Sequence, residues 1–185
     1  MPRRYPQLTF TDSVKRTQEA YGTRAKASRM EALERDDRRL TEAERSFIAT
    51  RDSFYMASVG ETGWPYVQFR GGPPGFLKVL DERTLGYADF RGNMQLISMG
   101  NLQHEERVAL ILLDYTQQRR LKIMARARAH RAEERPDLLE LLEDPTYRAR
   151  VRRVLVLEIE AFDWNCPQHI TPRFTRAEID AGLPS

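Results

Sequence analysis

The sequence predicts an α+β fold that is mainly β: an antiparallel barrel preceded by a helical extension. Three observations carry this. Five or six short strand-like segments are separated by turns rich in Gly, Pro and Asp. Residues 120–130 alternate strictly, with Leu121, Ile123, Ala125, Ala127 and Ala129 on one face and Lys122, Met124, Arg126, Arg128 and His130 on the other. No strand pattern alternates with a long helical one, and neither G-x-G-x-x-G nor G-x-x-x-x-G-K-[ST] occurs, which argues against a doubly wound nucleotide-binding sheet.

The elements follow in order. Residues 1–50 form the extension and 51–185 the barrel domain. Asp12 caps a helix through Tyr21, which Gly22 stops. Residues 27–33 suit a second helix, and the charged run 34–39 a solvated connection. Thr41 and Glu44 have capping-box spacing for a helix ending near Thr50, with Phe47 and Ile48 turned to the core. Arg24, Lys26 and Arg29 read as an exposed helical face rather than a phosphate site. Residues 54–59 and 66–69 flank the turn 60–65 as a hairpin, and 76–80 and 84–88 flank Asp81-Glu82-Arg83 as a second. Residues 92–102 are helix-compatible, with Met94, Ile97 and Leu102 apolar. The continuous apolar run 108–113 reads as a buried strand. Beyond the alternating segment, 136–142 suit a short helix with Pro136 in its first turn, Pro145 marks a break, and 154–162 form the last strand. Residues 164–174 are irregular, and Thr175 with Glu178 caps a terminal helix.

The totals narrow the function classes. A chain of 185 residues holds one domain with a substantial core. Its 30 Lys and Arg are interspersed with 27 Asp and Glu, for a formal charge of +3. That pattern lacks the basic stripe of a nucleic-acid binder, while a small positive balance suits an anionic cofactor or substrate. The single Cys166 excludes an intrachain disulfide, and no apolar leader or membrane-length run is seen. A cytoplasmic protein without membrane contact is expected. Cys166 and His169 have C-x-x-H spacing, but two ligands do not make a zinc site, so no metal is expected and Cys166 reads as a small buried residue. His104 and His130 read as surface residues.

Candidate chemistry concentrates in Phe69-Arg70-Gly71-Gly72-Pro73-Pro74-Gly75-Phe76-Leu77-Lys78 and in Tyr87-Ala88-Asp89-Phe90-Arg91-Gly92-Asn93. Gly71, Gly72 and Gly75 remove side chains where a backbone must approach a ligand, and Pro73 and Pro74 stiffen the loop. Backbone N–H groups there can meet ring heteroatoms. Arg70 and Arg91 are planar donors suited to phosphate, and Lys78 is a point charge. Asn93, at the expected start of a helix, adds a polar side chain and helix N–H groups for an anion. On composition alone, a Gly/Pro-rich turn with surface arginines is an equal reading.

These blocks resemble the flavin-binding half of the pyridoxamine 5'-phosphate oxidase-like family across roughly residues 45–165. The resemblance implies a split barrel, FMN as cofactor, and a homodimer with FMN at the subunit interface. It also implies cofactor contacts from Arg70, Gly71, Gly72, Pro73, Gly75 and Phe76, and from Tyr87, Ala88, Asp89, Phe90, Arg91 and Asn93. Arg120 or Lys122 would contribute from the strand 119–128, often of the second subunit; an outward-facing charge is the alternative reading. The chain departs from the oxidase proper at Gly71-Gly72-Pro73-Pro74-Gly75, where that enzyme has apolar strand residues. It departs again at Ala88-Asp89, in place of hydroxyl and amide residues, and it lacks the Ser-Arg-Lys triplet. This places it among the general FMN-binding relatives. Residues 165–173 resemble their tail segment, so Trp164, His169 or Arg173 would cover the ring or meet a substrate. The implied activity is a flavin-dependent oxidoreduction of a small molecule, with a nicotinamide nucleotide or a small oxidised molecule as second substrate. No catalytic acid or base can be named. The alternative is a non-catalytic split barrel holding FMN, haem or a deazaflavin as sensor or carrier.

Overall fold

The computed structural model describes residues 2–164 and 168–182; the reading of Cys166 lies outside them. Four helices come first: α1 (Arg4–Thr9), α2 (Asp12–Ala20), α3 (Arg24–Ala32) and α4 (Glu42–Ala49). Strands β1 (Ser53–Val59), β2 (Pro65–Gly71), β3 (Lys78–Val79) and β4 (Thr84–Phe90) precede α5 (Ile97–His104). Then come β5 (Arg107–Asp114), β6 (Arg119–Arg131), α6 (Pro136–Leu142), β7 (Val151–Trp164) and α7 (Arg176–Asp180).

All strand pairs are antiparallel, in the order β2-β1-β5-β6-β7-β4-β3. The edges β2 and β3 do not pair with each other, so the barrel is split rather than closed. One face of the curled sheet encloses the core: Phe54 and Met56 from β1, Leu85 and Tyr87 from β4, Leu110 and Leu112 from β5, Leu121 and Ile123 from β6, and Leu155, Leu157 and Ile159 from β7. This is the period-two pattern made physical, since successive strand side chains point to opposite faces. Strand β5 departs from the expectation of full burial. Val108, Leu110 and Leu112 face inward, whereas Ala109, Ile111 and Leu113 are only half-buried on the outer face. The run is apolar throughout because its outer face is apolar too.

The extension is packed into the barrel. Leu40, Phe47 and Ile48 belong to the same core. The charged run 34–39 is not simply solvated, because Asp37 is buried. Its carboxylate accepts hydrogen bonds from the backbone N–H groups of Arg4 (2.7 Å) and Tyr5 (3.0 Å), and it pairs with Arg3 at 3.3 Å. Arg3 also pairs with Asp163 on β7, and the Phe162 N–H donates to the Asp37 carbonyl at 2.7 Å. An unpaired buried carboxylate is costly, so this cluster holds the N-terminal arm, with the unforeseen α1, on the barrel. The cap of α2 is Thr11, one residue before the expected Asp12: its hydroxyl accepts from the Val14 N–H.

Helix α4 has the expected capping box, and Glu44 does more than cap. Fully buried, it accepts from the Thr41 N–H at 2.9 Å and the Trp164 indole N–H at 2.6 Å, and pairs with Arg35 at 3.1 Å. Burial pushes its pKa up, but the Thr41 and Trp164 hydrogen bonds and the Arg35 charge outweigh that and hold it below the ordinary value of 4.5. A depressed folded pKa stabilises above the unfolded value and is lost as pH falls through the folded one. Melting temperatures taken from pH 6 down to pH 3 should therefore fall below about pH 4.5, and fall less in Glu44→Gln, which has no carboxylate to protonate.

The Gly/Pro loop 72–77 is anchored to the end of α4. The Gly72 N–H donates to the Asp52 carbonyl and the Gly75 N–H to the Arg51 carbonyl, both at 2.9 Å. Gly75 has φ +78°, and a Cβ there would lie 2.9 Å from the Ala49 carbonyl oxygen. Gly75→Ala should lower unfolding free energy by at least about 1 kcal/mol in denaturant titration, because strain and a backbone clash act together.

Candidate cofactor site

Two strand ends meet beside the split. Arg70, near the end of β2, extends a guanidinium nitrogen 2.7 Å from one carboxylate oxygen of Asp89 on β4. Arg153, on β7, places its Nε 3.0 Å from the other oxygen. Asp89 is buried and both arginines are largely so. Two guanidinium groups thus share one carboxylate, which leaves a net positive charge in a poorly solvated place. The Nε of Arg70 is itself buried without an acceptor, so the cluster holds an unspent donor.

A bulge creates this arrangement. Asp89 lies opposite Arg153, but Phe90 lies opposite Val151, so Arg152 is extra on β7 and the ladder shifts at the site. Beyond it the chain leaves the sheet, with the Arg91 N–H donating to the Arg150 carbonyl at 3.0 Å. Residues 91–96 form a loop instead of the expected first turns of a helix. Asn93 is consequently not at a helix start. Its side-chain oxygen accepts from the Gln95 N–H at 3.2 Å and holds the loop. Met94 (φ 63°) and Leu96 (φ 58°) adopt left-handed backbone that side chains other than Gly rarely take. Such strain persists only where the surroundings enforce it, and it clusters at functional sites. Ser98, in the first turn of α5, donates to the Gln68 side chain on β2 at 2.9 Å and closes this wall.

The resulting pocket has a volume of about 40 Å³, and Gln68, Arg70, Asp89, Asn93, Ser98 and Arg153 supply its polar lining. It is large enough for a phosphate-sized group and far too small for a flat tricyclic ring. Met94, Leu96 and Ile97 stand exposed beside it.

Of the residues singled out from sequence, Arg70, Asp89, Phe90 and Asn93 come together here, whereas the exposed Arg91 is not part of the lining, although Phe90 and Gly92 on either side of it are. Gly71, Gly72, Pro73 and Gly75 lie in and before the anchored loop, and the N–H groups of Gly72 and Gly75 are engaged by the chain itself. A Cβ on Gly71 would meet the Phe69 ring at 2.9 Å, and one on Gly72 the Phe76 side chain at 2.6 Å. Phe76 and Tyr87 point into the core: the Phe76 ring stacks on Phe54 with centroids 5.5 Å apart, and Tyr87 meets Phe54 edge-on at 5.3 Å. Burial raises the Tyr87 pKa, so its hydroxyl stays neutral. Ala88 is covered by α6 on the opposite face of β4. Arg120 and Lys122 lie on the outer face of β6, opposite Leu113 and Ile111, away from Arg70. That face also exposes Tyr55, Val67 and Phe69. Trp164 sits at the far end of β7 from Arg153, donates to Glu44, and lies beneath the Arg119 guanidinium at 4.5 Å.

Arg153, Gln68 and Ser98 were not anticipated. Only Arg153 had a signal, a basic pair opening a strand. Among the described residues no group of three or more His, Cys, Asp or Glu is placed to hold a metal, and no helix is long and apolar enough to cross a membrane.

Comparison with known proteins gives this geometry a family. The profile described as pyridoxamine 5'-phosphate oxidase matches residues 40–164. Among solved structures, a putative pyridoxamine 5'-phosphate oxidase from Lactobacillus delbrueckii is similar at 24% identity and TM-score 0.53, covering 68% of this chain and 94% of that one. The HupZ protein of Group A Streptococcus has 13% identity and TM-score 0.52, covering 68% and 98%. An F420 reductase has 16% identity and TM-score 0.50, covering 67% and 98%. No curated protein matches. At these identities the structures speak for the fold, while the profile spans well over half of the sequence, including both edges of the pocket: the chain belongs to the pyridoxamine 5'-phosphate oxidase-like family.

Proposed function

We propose that this protein binds a phosphorylated flavin, FMN, and uses it in the oxidation or reduction of a small molecule. The observation that carries the reading is the Arg70–Asp89–Arg153 cluster, in which two guanidiniums face one carboxylate and the Arg70 Nε lacks an acceptor. A phosphate beside this cluster would complete its charge balance, and guanidinium–phosphate hydrogen bonds are among the strong ones. Arg70 and Arg153 would hold the phosphate, with Asn93 and the Gln68–Ser98 pair as polar neighbours. Flavin, when bound, supplies the electron-transfer chemistry, and the protein supplies binding, orientation and access.

The pocket's small size bears on where the ring goes. About 40 Å³ admits only the phosphate end, so the ring would lie on the exposed apolar rim of Met94, Leu96 and Ile97. A second copy of the chain would then cover it. The outer face carrying Tyr55 (38% exposed), Val67 (60%) and Phe69 (56%) is the apolar surface such a homodimer would bury. In that assembly Arg120 or Lys122 would reach the cofactor from the partner subunit.

A second reading keeps the site and changes the cofactor. The similarity in fold to an F420 reductase makes a deazaflavin the competing ligand, and its phosphodiester would suit the same arginines. Absorbance titration of the purified protein with FMN and with F420, together with sedimentation, tests both. Saturable flavin binding to a dimer, lost with the dimer in Phe69→Glu, supports the proposal. Binding of F420 alone replaces FMN by the deazaflavin, and binding of neither contradicts it.

A further inference from the structure

Beyond the bulge that shapes the cofactor pocket, arginines accumulate: Arg91 follows β4, Arg148 and Arg150 lead into β7, and Arg152 is the extra residue of the bulge itself. The two segments run side by side, with the Arg91 N–H bonded to the Arg150 carbonyl. On β5 and β6, arginines are held by carboxylates, as Arg107, Arg126 and Arg128 are. Among the described residues, none of Arg91, Arg148, Arg150 and Arg152 makes a side-chain ion pair or hydrogen bond. The positive balance survives a count of the charged side chains on the adjoining segments. Lys78, Arg91, Arg131, Arg148, Arg150 and Arg152 stand against Glu133, Glu134, Glu143 and Asp144, two positive charges in surplus, and the Arg70–Asp89–Arg153 cluster adds one more. Arg91, Arg148 and Arg150 are exposed, so their donors are open to a ligand, whereas the half-buried Arg152 contributes charge alone. An aromatic ring stands among them: Tyr147 is 42% exposed and meets Phe90 with ring centroids 5.0 Å apart. Phe90 also lines the cofactor pocket, so the arginine patch and the pocket share a wall.

Resting on the flavin reading, we propose that the second substrate is a nicotinamide dinucleotide bearing a 2′-phosphate, NADPH, whose phosphorylated adenosine end lies on this patch. The adenine would stack on Tyr147 or beneath a guanidinium plane. Arg91, Arg148 and Arg150 would meet the 2′-phosphate and the diphosphate through charge-assisted hydrogen bonds. Arg91 is three residues from Met94, no more than about 11 Å along the chain. An extended dinucleotide therefore spans from the arginines to the apolar rim where the flavin ring would rest. There the C4–H bond of the dihydronicotinamide would break, its hydride passing to the flavin and the oxidised dinucleotide leaving. NADH lacks the third phosphate, and with it the part of its charge that a surplus of cations selects. A nucleic-acid strand fits less well, because the exposed arginines are confined to two short segments and offer no continuous track for its backbone.

Calorimetric titration of the whole protein with NADP+ and with NAD+, before any flavin is added, tests this. NADP+ should bind saturably and at least about tenfold more tightly than NAD+. In Arg148→Ser/Arg150→Ser the two should bind alike, with an unchanged melting temperature because both side chains are exposed and unpaired among the described residues. Arg70→Ala, which alters the cofactor pocket, should leave the preference for NADP+ intact. Equal affinities in the wild type, no saturable NADP+ binding, or a preference that survives the Arg148/Arg150 substitutions would overturn the proposal. Loss of the preference in Arg70→Ala would overturn it too, by putting the dinucleotide in the cofactor pocket. So would a short oligothymidylate that binds more tightly than NADP+, which would put a nucleic-acid strand on the arginines. Selective NADP+ binding by a protein that takes up no FMN would overturn the flavin reading while upholding the site. FMN uptake with equal NADP+ and NAD+ affinities would do the reverse.

Discussion

Arg70→Ala should weaken FMN by roughly 10- to 100-fold, the loss expected when a charge-assisted hydrogen bond worth about 1.5–3 kcal/mol is removed. Two effects combine. The phosphate loses a guanidinium donor, and the buried Asp89 loses its 2.7 Å partner, so the carboxylate left behind repels the incoming anion. Arg153→Ala removes the 3.0 Å partner and should act in the same direction. Asp89→Asn removes the competing negative charge while keeping a hydrogen-bonding side chain, so FMN should bind at least as tightly as in the wild type. Fluorescence quenching of FMN by the three variants checks this order. The Asp89 result separates a phosphate site from a salt-bridge cluster that merely holds two strand ends together, since the latter gives no reason for tighter binding.

Phe76→Ala should lower unfolding free energy by about 3–5 kcal/mol with no cofactor present, the cost typical of emptying a buried aromatic site. Phe76 is 5% exposed, stacks on Phe54, and meets Tyr87 edge-on with centroids 6.3 Å apart. These three rings join β1, the Gly/Pro loop and β4, so their loss loosens the loop following Arg70 as well as the core. Urea titration of the apoprotein measures this. A Phe76 whose business was ring contact alone would show little change in apoprotein stability.

Some parts of the fold and of the candidate site are legible in the sequence, and others depend on tertiary structure. Strand β6 was plain because Leu121 to Ala129 alternate with charged and larger residues, and the β1–β2 hairpin because Gly60 and Gly63 punctuate it. Arg70 stands out in the sequence as a planar cation opening a Gly/Pro-rich block, whereas Asp89 is singled out only by the family resemblance, at a position where the chain departs from the oxidase proper. Arg153 was missed, since its approach to Asp89 depends on a bulge that shifts Phe90 onto Val151, and a register shift leaves no trace in periodicity. Phe76 and Tyr87 were ambiguous because an aromatic side chain suits a core and a ring contact equally well. The charged run 34–39 looked solvated for a related reason: composition reports charge, while the burial of Asp37 follows from the N-terminal arm folding back over β7. The expected helix from residue 92 began at Ile97, because helix-compatible residues carry no mark of the left-handed conformations at Met94 and Leu96.

Arg70 and Arg153 are the residues proposed to hold the phosphate of a flavin. The most direct measurement is the ratio of FMN to riboflavin affinity, because the two ligands differ only in that group. FMN should bind tighter by at least about 100-fold in the wild type, as two charge-assisted contacts imply, with the preference collapsing in the Arg70→Ala/Arg153→Ala double variant. Equal affinities in the wild type, or a preference that survives the double substitution, would contradict it.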